Sequence, residues 1–292
     1  MGSGLTGTSD KAEGVTSFGL DRLSDKLFIS FSALIFEKTG IFLKSEKKEL
    51  LNSRLGKRLR ACRINSFAEY YDYVTGAGKA SELVHLIDSV STNYTSFFRE
   101  QAHFDFLVDQ VMPELIGQRS AGKEEMVFWS SACSSGEEPY TLAMVLDDYF
   151  ENNPGHRFSI IATDISTKVL GIANQGVYPT ERVEKVPPKL LKKYFQKGTG
   201  AGEGFVKIKR SLQQHISFRH FNLMGDFPWN NAMDVIFCRN VMIYFNKETQ
   251  AVLVEKFYRC LKPGGYLFIG HSESISGIKN QFIQVASTAY RK

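Results

Sequence analysis

From Met126 onward the chain alternates short apolar runs with amphipathic segments, and few folds accommodate that rhythm. VFWSSACSSG precedes EEPYTLAMVLDDYF, FSIIATDI precedes STKVLGIANQ, MDVIFCRN precedes KETQAVLVEKFYRCL, and YLFIGHSE and FIQVASTAYR follow. A strand covered on both faces reads as a continuous apolar run, and parallel neighbours need helical crossovers between them. The order predicts an α/β domain over 127–292 built on a doubly wound, mostly parallel sheet. The rhythm breaks over 178–212, where GTGAGEG separates YFQK from FVKIKR and Val206 and Ile208 alternate with polar neighbours. That break predicts an inserted antiparallel β-subdomain.

Upstream the apolar spacing is helical. Leu27, Phe31 and Leu34 share a face, and Thr39-Gly40 reads as the helix stop. Ser45 reads as the N-cap of a helix running to about Cys62, with Leu51, Leu55 and Leu59 on one stripe. Ser66-Phe67-Ala68-Glu69 is a capping box, Ser81 opens a fourth helix, and a fifth carries Phe104, Leu107, Val111 and Leu115. The expected organisation is a disordered tail (1–19), a small all-helical domain (20–117), a polar linker (118–126) and the α/β domain.

With 43% apolar and 23% charged residues, the chain has ample apolar material to offset chain entropy. No apolar run approaches the ~18 residues of a membrane span, and no N-terminal apolar h-region announces export. The four cysteines lie far apart, which fits a reducing cytoplasm better than a disulfide framework or zinc ribbon. A net charge of +5 does not by itself imply nucleic acid. The histidines lack metal-ligand spacing, so no metal is expected, and no heptad or long exposed strand forces assembly, so a monomer is.

In a doubly wound sheet, ligands bind beyond the carboxyl ends of the strands. The small residues Ser131 to Gly136 let a ligand approach the backbone after the first strand. The next helix opens with Glu137 and Glu138, which would repel a pyrophosphate and attract a cation or an ammonium group. G-x-G-x-x-G is absent, which argues further against a nicotinamide dinucleotide. Asp164, ending the second strand, can accept both hydroxyls of a ribose; its bland reading is a cap for the following helix. A ligand with a ribose, no phosphate and a positive charge fits S-adenosylmethionine.

Six segments carry a resemblance: STNYTSFFRE (91–100), SSACSSGEEPYTLA (130–143), ATDIS (162–166), FNLM (221–224), FCRNVMIYF (237–245) and LKPGGYLFIGHSES (261–274). Together they resemble the chemotaxis receptor methyltransferases, the CheR family, which methylate glutamate side chains of bacterial chemoreceptors. The resemblance implies that Asn93, Thr95 and Arg99 contact the methyl donor or line the transfer site. It further implies that Glu137 or Glu138 meets the donor's amino-acid end, Asp164 its ribose, and Asn222 and Leu223 its adenine. Arg239, Asn240 and Tyr244 would close the site around the methionine moiety and the incoming carboxylate. On this reading Arg99 and Tyr244 act in catalysis, Arg99 orienting the substrate carboxylate; the competing reading pairs Arg99 with Glu137 or Asp164.

Lys47, Arg54 and Arg58 form one stripe within a stretch, Lys44 to Arg63, holding eight basic and two acidic residues. Such a stripe would steer the glutamate-rich receptor helices that the resemblance implies as partners, although a solvated helix face is the plainer reading. In some family members the β-subdomain binds a peptide at the receptor C-terminus by strand addition. Two rival chemistries have weaker support. Gly270-His271-Ser272-Glu273-Ser274 nearly reads as a hydrolase elbow but lacks the last glycine. Cys238-Arg239-Asn240-Val241 lacks the paired prolines of an amine methyltransferase.

Overall fold

The computed structural model describes residues 22–77, 79–118 and 125–292, so the expected tail and most of the expected linker lie outside the described residues. Helices α1 (Asp25–Thr39), α2 (Lys48–Cys62), α3 (Phe67–Thr75) and α4 (Lys79–Val90) close around one core. Phe31, Leu55, Leu59, Tyr70 and Leu86 fill it. Gly40 ends α1 in the left-handed region at φ 73°, and Ser66 caps α3 by accepting the Glu69 N–H. Ser45 instead begins a 3-10 turn ahead of α2, and α4 starts two residues before Ser81.

The next helical stretch comprises α5 (Ala102–Phe106), a π turn over Leu107–Val111, and α6 (Met112–Gly117). Counted above with the helical module, it lends Phe104, Leu107, Val111 and Leu115 to the core of the α/β part. Helical spacing shows that a stripe is apolar; it does not show which core the stripe faces.

The α/β part runs β1 (Glu125–Ser130), α7 (Glu137–Asn152), β2 (Arg157–Asp164), α8 (Thr167–Gln175), β3 (Val177–Pro179), α9 (Pro188–Tyr194), β4 (Phe195–Lys197) and β5 (Phe205–Ile208). It continues through α10 (Arg210–Gln213), β6 (Ile216–His220), β7 (Met233–Cys238), α11 (Lys247–Cys260), β8 (Leu261–Ile269), β9 (Ile283–Ala286) and β10 (Ala289–Arg291). Seven strands form the main sheet in the order β6-β2-β1-β7-β8-β10-β9. The pairs from β6 to β8 are parallel, and the β9–β10 hairpin is antiparallel to itself and to β8. The run FIQVASTAYR, expected as one strand, is therefore two, because the chain reverses at Ser287-Thr288. Strands β3, β5 and β4 form a separate small antiparallel sheet inside 178–212 and its immediate border.

The period of two along each strand explains the continuous apolar runs. Phe128, Val235, Phe237 and Phe268 face one core, whereas Trp129, Ile236, Cys238, Leu267 and Ile269 face the other. Trp129 is wholly buried and donates from Nε1 to Thr163 Oγ1 at 3.0 Å, so it is a core residue. Strand β1 pairs with β2 on one side and β7 on the other, so the winding reverses there and a crevice opens at the carboxyl ends.

Candidate functional site

A cleft of about 440 Å³ occupies that crevice, within the range of small-molecule sites. Ser131, Ala132 and Ser134 of the loop after β1 line it, and in that loop Ser134 and Gly136 take left-handed conformations at φ 48° and 98°. A Cβ at Gly136 would lie 2.8 Å from Tyr178 Oη and 2.9 Å from Ala173 Cβ, so the glycine is required by what packs behind the loop.

Glu138 and Asp164 both line the cleft. Glu138 accepts from Ser130 Oγ at 2.7 Å and from Arg239 Nη1 at 3.1 Å. Burial pushes its carboxyl above the usual range, with Arg239 pulling the other way. Asp164 accepts the Ser134 N–H at 2.8 Å and the Ser166 N–H at 2.9 Å, and burial raises its pKa too. The cap of α8 is Ser166, not Asp164. Asp164 instead ties down the loop, and both carboxylates keep lone pairs for a ligand.

Arg239, also in the wall, is the hub of the site. It reaches Glu138, donates from Nε and Nη2 to Glu100 Oε2 at 3.2 and 3.0 Å, and holds the Arg99 carbonyl. Asn240 follows in a left-handed conformation at φ 58°. Its N–H donates to Glu273 at 2.9 Å and its Nδ2 to Glu100 at 3.2 Å. Glu273 also accepts the N–H groups of Gly270 and Ile243, pinning the loops after β7 and β8 together. Ser272 is exposed in the turn and no helix follows it, which removes the hydrolase reading.

Asn93, Thr95 and Arg99 enter from the segment joining the two parts. Arg99 Nη1 donates to the Tyr94 carbonyl at 2.9 Å, and the guanidinium lies 5.5 Å from the Tyr94 ring centroid. It forms no ion pair with Glu137 or Asp164, so the competing reading of Arg99 fails. Tyr244 also lines the cleft, and its carbonyl accepts the Phe42 N–H at 2.8 Å. Asn222 and Leu223 line it too; the Asn222 amide donates to the Lys38 carbonyl at 2.7 Å, so it also fastens the helical module to the loop.

Two expectations need correction. Glu137 does not face the cleft: it is wholly buried, pairs with Arg182 from the insertion and accepts from Ser135 Oγ at 2.7 Å. Adjacent helical residues point ~100° apart, so only one of the two glutamates can meet a ligand there. Arg58, expected in one docking stripe with Lys47 and Arg54, is absent from the cleft that those two line. Its guanidinium forks onto the buried Glu82 at 2.8 and 2.9 Å, where the Tyr70 hydroxyl also donates at 2.7 Å. A buried carboxylate demands such a partner. Arg54 lines the cleft while bonding to the Val90 carbonyl and, at 3.3 Å, to Thr92 Oγ1.

Sequence reasoning missed Glu100 and Glu273, whose partners are distant in sequence and leave no spacing signal. It also missed a cluster of Glu100, His103 and His271, in which burial lowers the His103 pKa to about 4, helped by the Arg239 charge.

Residues 93–291 match the family model described as CheR methyltransferase, SAM binding domain, and residues 26–91 match its all-alpha domain. The chain belongs to the CheR methyltransferase family. Similar relatives include a chemotaxis protein methyltransferase of Borreliella burgdorferi, 41% identical over 89% of this chain and 91% of the relative. The Escherichia coli protein of the same description is 38% identical over 92% and 91%. Chemotaxis protein methyltransferase 2 of Pseudomonas aeruginosa is 40% identical over 88% and 89%. The methyltransferase thus carries a domain for S-adenosylmethionine, and the cleft's observed chemistry fits that group. It offers carboxylates to a cation, a small-residue loop for close approach and adequate volume. Among the described residues no helix is long and apolar enough to cross a membrane.

Proposed function

We propose that this protein transfers the methyl group of S-adenosylmethionine to glutamate side chains of bacterial chemoreceptors, forming methyl esters for sensory adaptation in the cytoplasm. The observation that carries the reading is that one cleft is lined both by two carboxylates, Glu138 and Asp164, and by a cationic side chain, Arg99, that forms no ion pair with a carboxylate among the described residues.

Glu138 would hold the donor's ammonium and Asp164 its ribose, with Asn222 and Leu223 beside the base. Asn93, Thr95, Arg239 and Asn240 would complete that shell. The donor, when bound, supplies an electrophilic methyl carbon activated by its sulfonium charge. The substrate glutamate, with an ordinary pKa of about 4.3, is already an anion at neutral pH, so no residue need act as base. What the chain must supply is alignment, which can contribute ~7–11 kcal/mol to a displacement of this kind. Arg99 would swing from Tyr94 to orient the carboxylate, and Tyr244 would hydrogen-bond near the point of transfer. Too tight a grip by Arg99 would stabilise the ground state and slow attack.

Lys47 and Arg54, which line the cleft, would register the acidic receptor helix, and a receptor C-terminal peptide would add as a strand to the small sheet. The protein would work as a monomer. The decisive experiment is incubation with methyl-labelled S-adenosylmethionine and receptor cytoplasmic fragments, followed by alkali. Label released as methanol supports a carboxyl ester; alkali-stable label, or none transferred, refutes the reading.

A further inference from the structure

Glu100 does not line the cleft, yet more of the site's polar contacts meet at its carboxylate than at Arg99 beside it. One oxygen takes Arg239 Nε and Nη2; the other takes Asn240 Nδ2 and the His271 N–H, each at 3.2 Å. The residue sits in the left-handed region at φ 57°, as does Phe98 at φ 54°. Neither is glycine, and such backbone conformations persist where the surroundings over-determine them. Burial raises the Glu100 pKa, but Arg239 and Asn240 outweigh it and hold the carboxyl below its usual range. Neighbouring His103 stays neutral at physiological pH, so Arg239 is the cation that Glu100 answers.

The geometry has an electrostatic consequence. The Arg239 side chain is 1% exposed and carries one charge, shared between two carboxylates, Glu138, which lines the cleft, and Glu100, which does not. Without Glu100, that charge would fall on Glu138 alone and neutralise the group that faces the cleft. We propose that Glu100 is a positioning residue: by occupying two of the N–H donors of Arg239, it keeps the donor wall net negative and thereby favours a sulfonium over a neutral thioether. The inference rests on the S-adenosylmethionine reading above. It explains how a buried arginine can brace a site for a cationic ligand without repelling it.

The test compares binding of S-adenosylmethionine and of S-adenosylhomocysteine by calorimetry in the full chain. The two ligands share the ammonium, ribose and base and differ by the sulfonium methyl and its charge. In Glu100→Gln the preference for the cation should fall about tenfold relative to wild type, equivalent to about 1.4 kcal/mol, because close charges in a poorly screened site interact at that order. Glu100→Asp keeps the charge and shortens the side chain, so its ratio of affinities should stay within about threefold of wild type even if both ligands bind more weakly. Equal loss of both ligands in Glu100→Gln, or no loss, overturns the proposal, since a merely structural clamp would not alter the ratio. A shift of the ratio in Glu100→Asp as large as that expected for glutamine also overturns it, and this arm stands even if the glutamine variant does not fold. Wild-type protein that binds neither ligand overturns the donor reading itself.

Discussion

Glu137 and Glu138 are adjacent and chemically identical, yet the structure gives them opposite duties, and replacing each with glutamine separates the two. Glu137 is wholly buried; its partner Arg182 has a side chain 45% exposed. Losing one member of a buried pair costs about 3–5 kcal/mol when the survivor stays buried. Arg182 can turn to water, so Glu137→Gln should cost less, about 1–3 kcal/mol. At about 2–4 °C per kcal/mol for a unit of this size, the midpoint of thermal unfolding should drop by roughly 2–12 °C. Donor affinity should hardly change. Glu138→Gln removes a charged acceptor from the cleft, and one charge-assisted hydrogen bond contributes about 1.5–3 kcal/mol, or roughly 10- to 150-fold in Kd. Its thermal midpoint should match or exceed that of wild type, because burial already disfavours the Glu138 charge. Calorimetry with S-adenosylhomocysteine and thermal melts on both variants would check this. If Glu137→Gln weakens the nucleoside as much as Glu138→Gln does, the assignment of faces is wrong.

Other outcomes follow from the same geometry. Lys44→Glu with Lys47→Glu should slow methylation of a receptor fragment about fivefold at low salt, less at high salt, with donor affinity intact, as expected of exposed steering charges. Equal rates at both salt concentrations would remove these lysines from docking. Arg58→Ala should destabilise the chain by about 3 kcal/mol or more, since it leaves the buried Glu82 without its cation, and a denaturant melt within error of wild type would refute that. His103 has a folded pKa of about 4 against an ordinary 6.5, so the unfolded chain binds the extra proton first. The stability this confers is complete above about pH 6.5 and is lost as pH falls toward 4, by up to about 3 kcal/mol. His103→Gln should flatten that part of the curve of unfolding free energy against pH, and an unchanged slope would count against the burial argument.

Local chemistry made much of the protein legible in its sequence. Continuous apolar runs alternating with amphipathic segments encode a parallel sheet, because strands covered on both faces leave no polar positions to interrupt them. A carboxylate at a strand end and small residues at the first turn point to a ligand site at the carboxyl ends of the strands, and Glu138 and Asp164 line the cleft found there; Arg99, which lines it too, was suggested only by the family resemblance. Strand β6 was not legible, since most of its residues are exposed and its pairing with β2 supplies the order its side chains do not. Nor was the allegiance of 102–117, because an apolar stripe carries no address. The facing of Glu137 against Glu138, the diversion of Arg58 to Glu82 and the convergence of Glu100, Arg239, Asn240 and Glu273 were decided only when the chain folded. Those choices are made between groups up to 140 residues apart, by the need of each buried charge to find its complement, and a linear string does not record such distances.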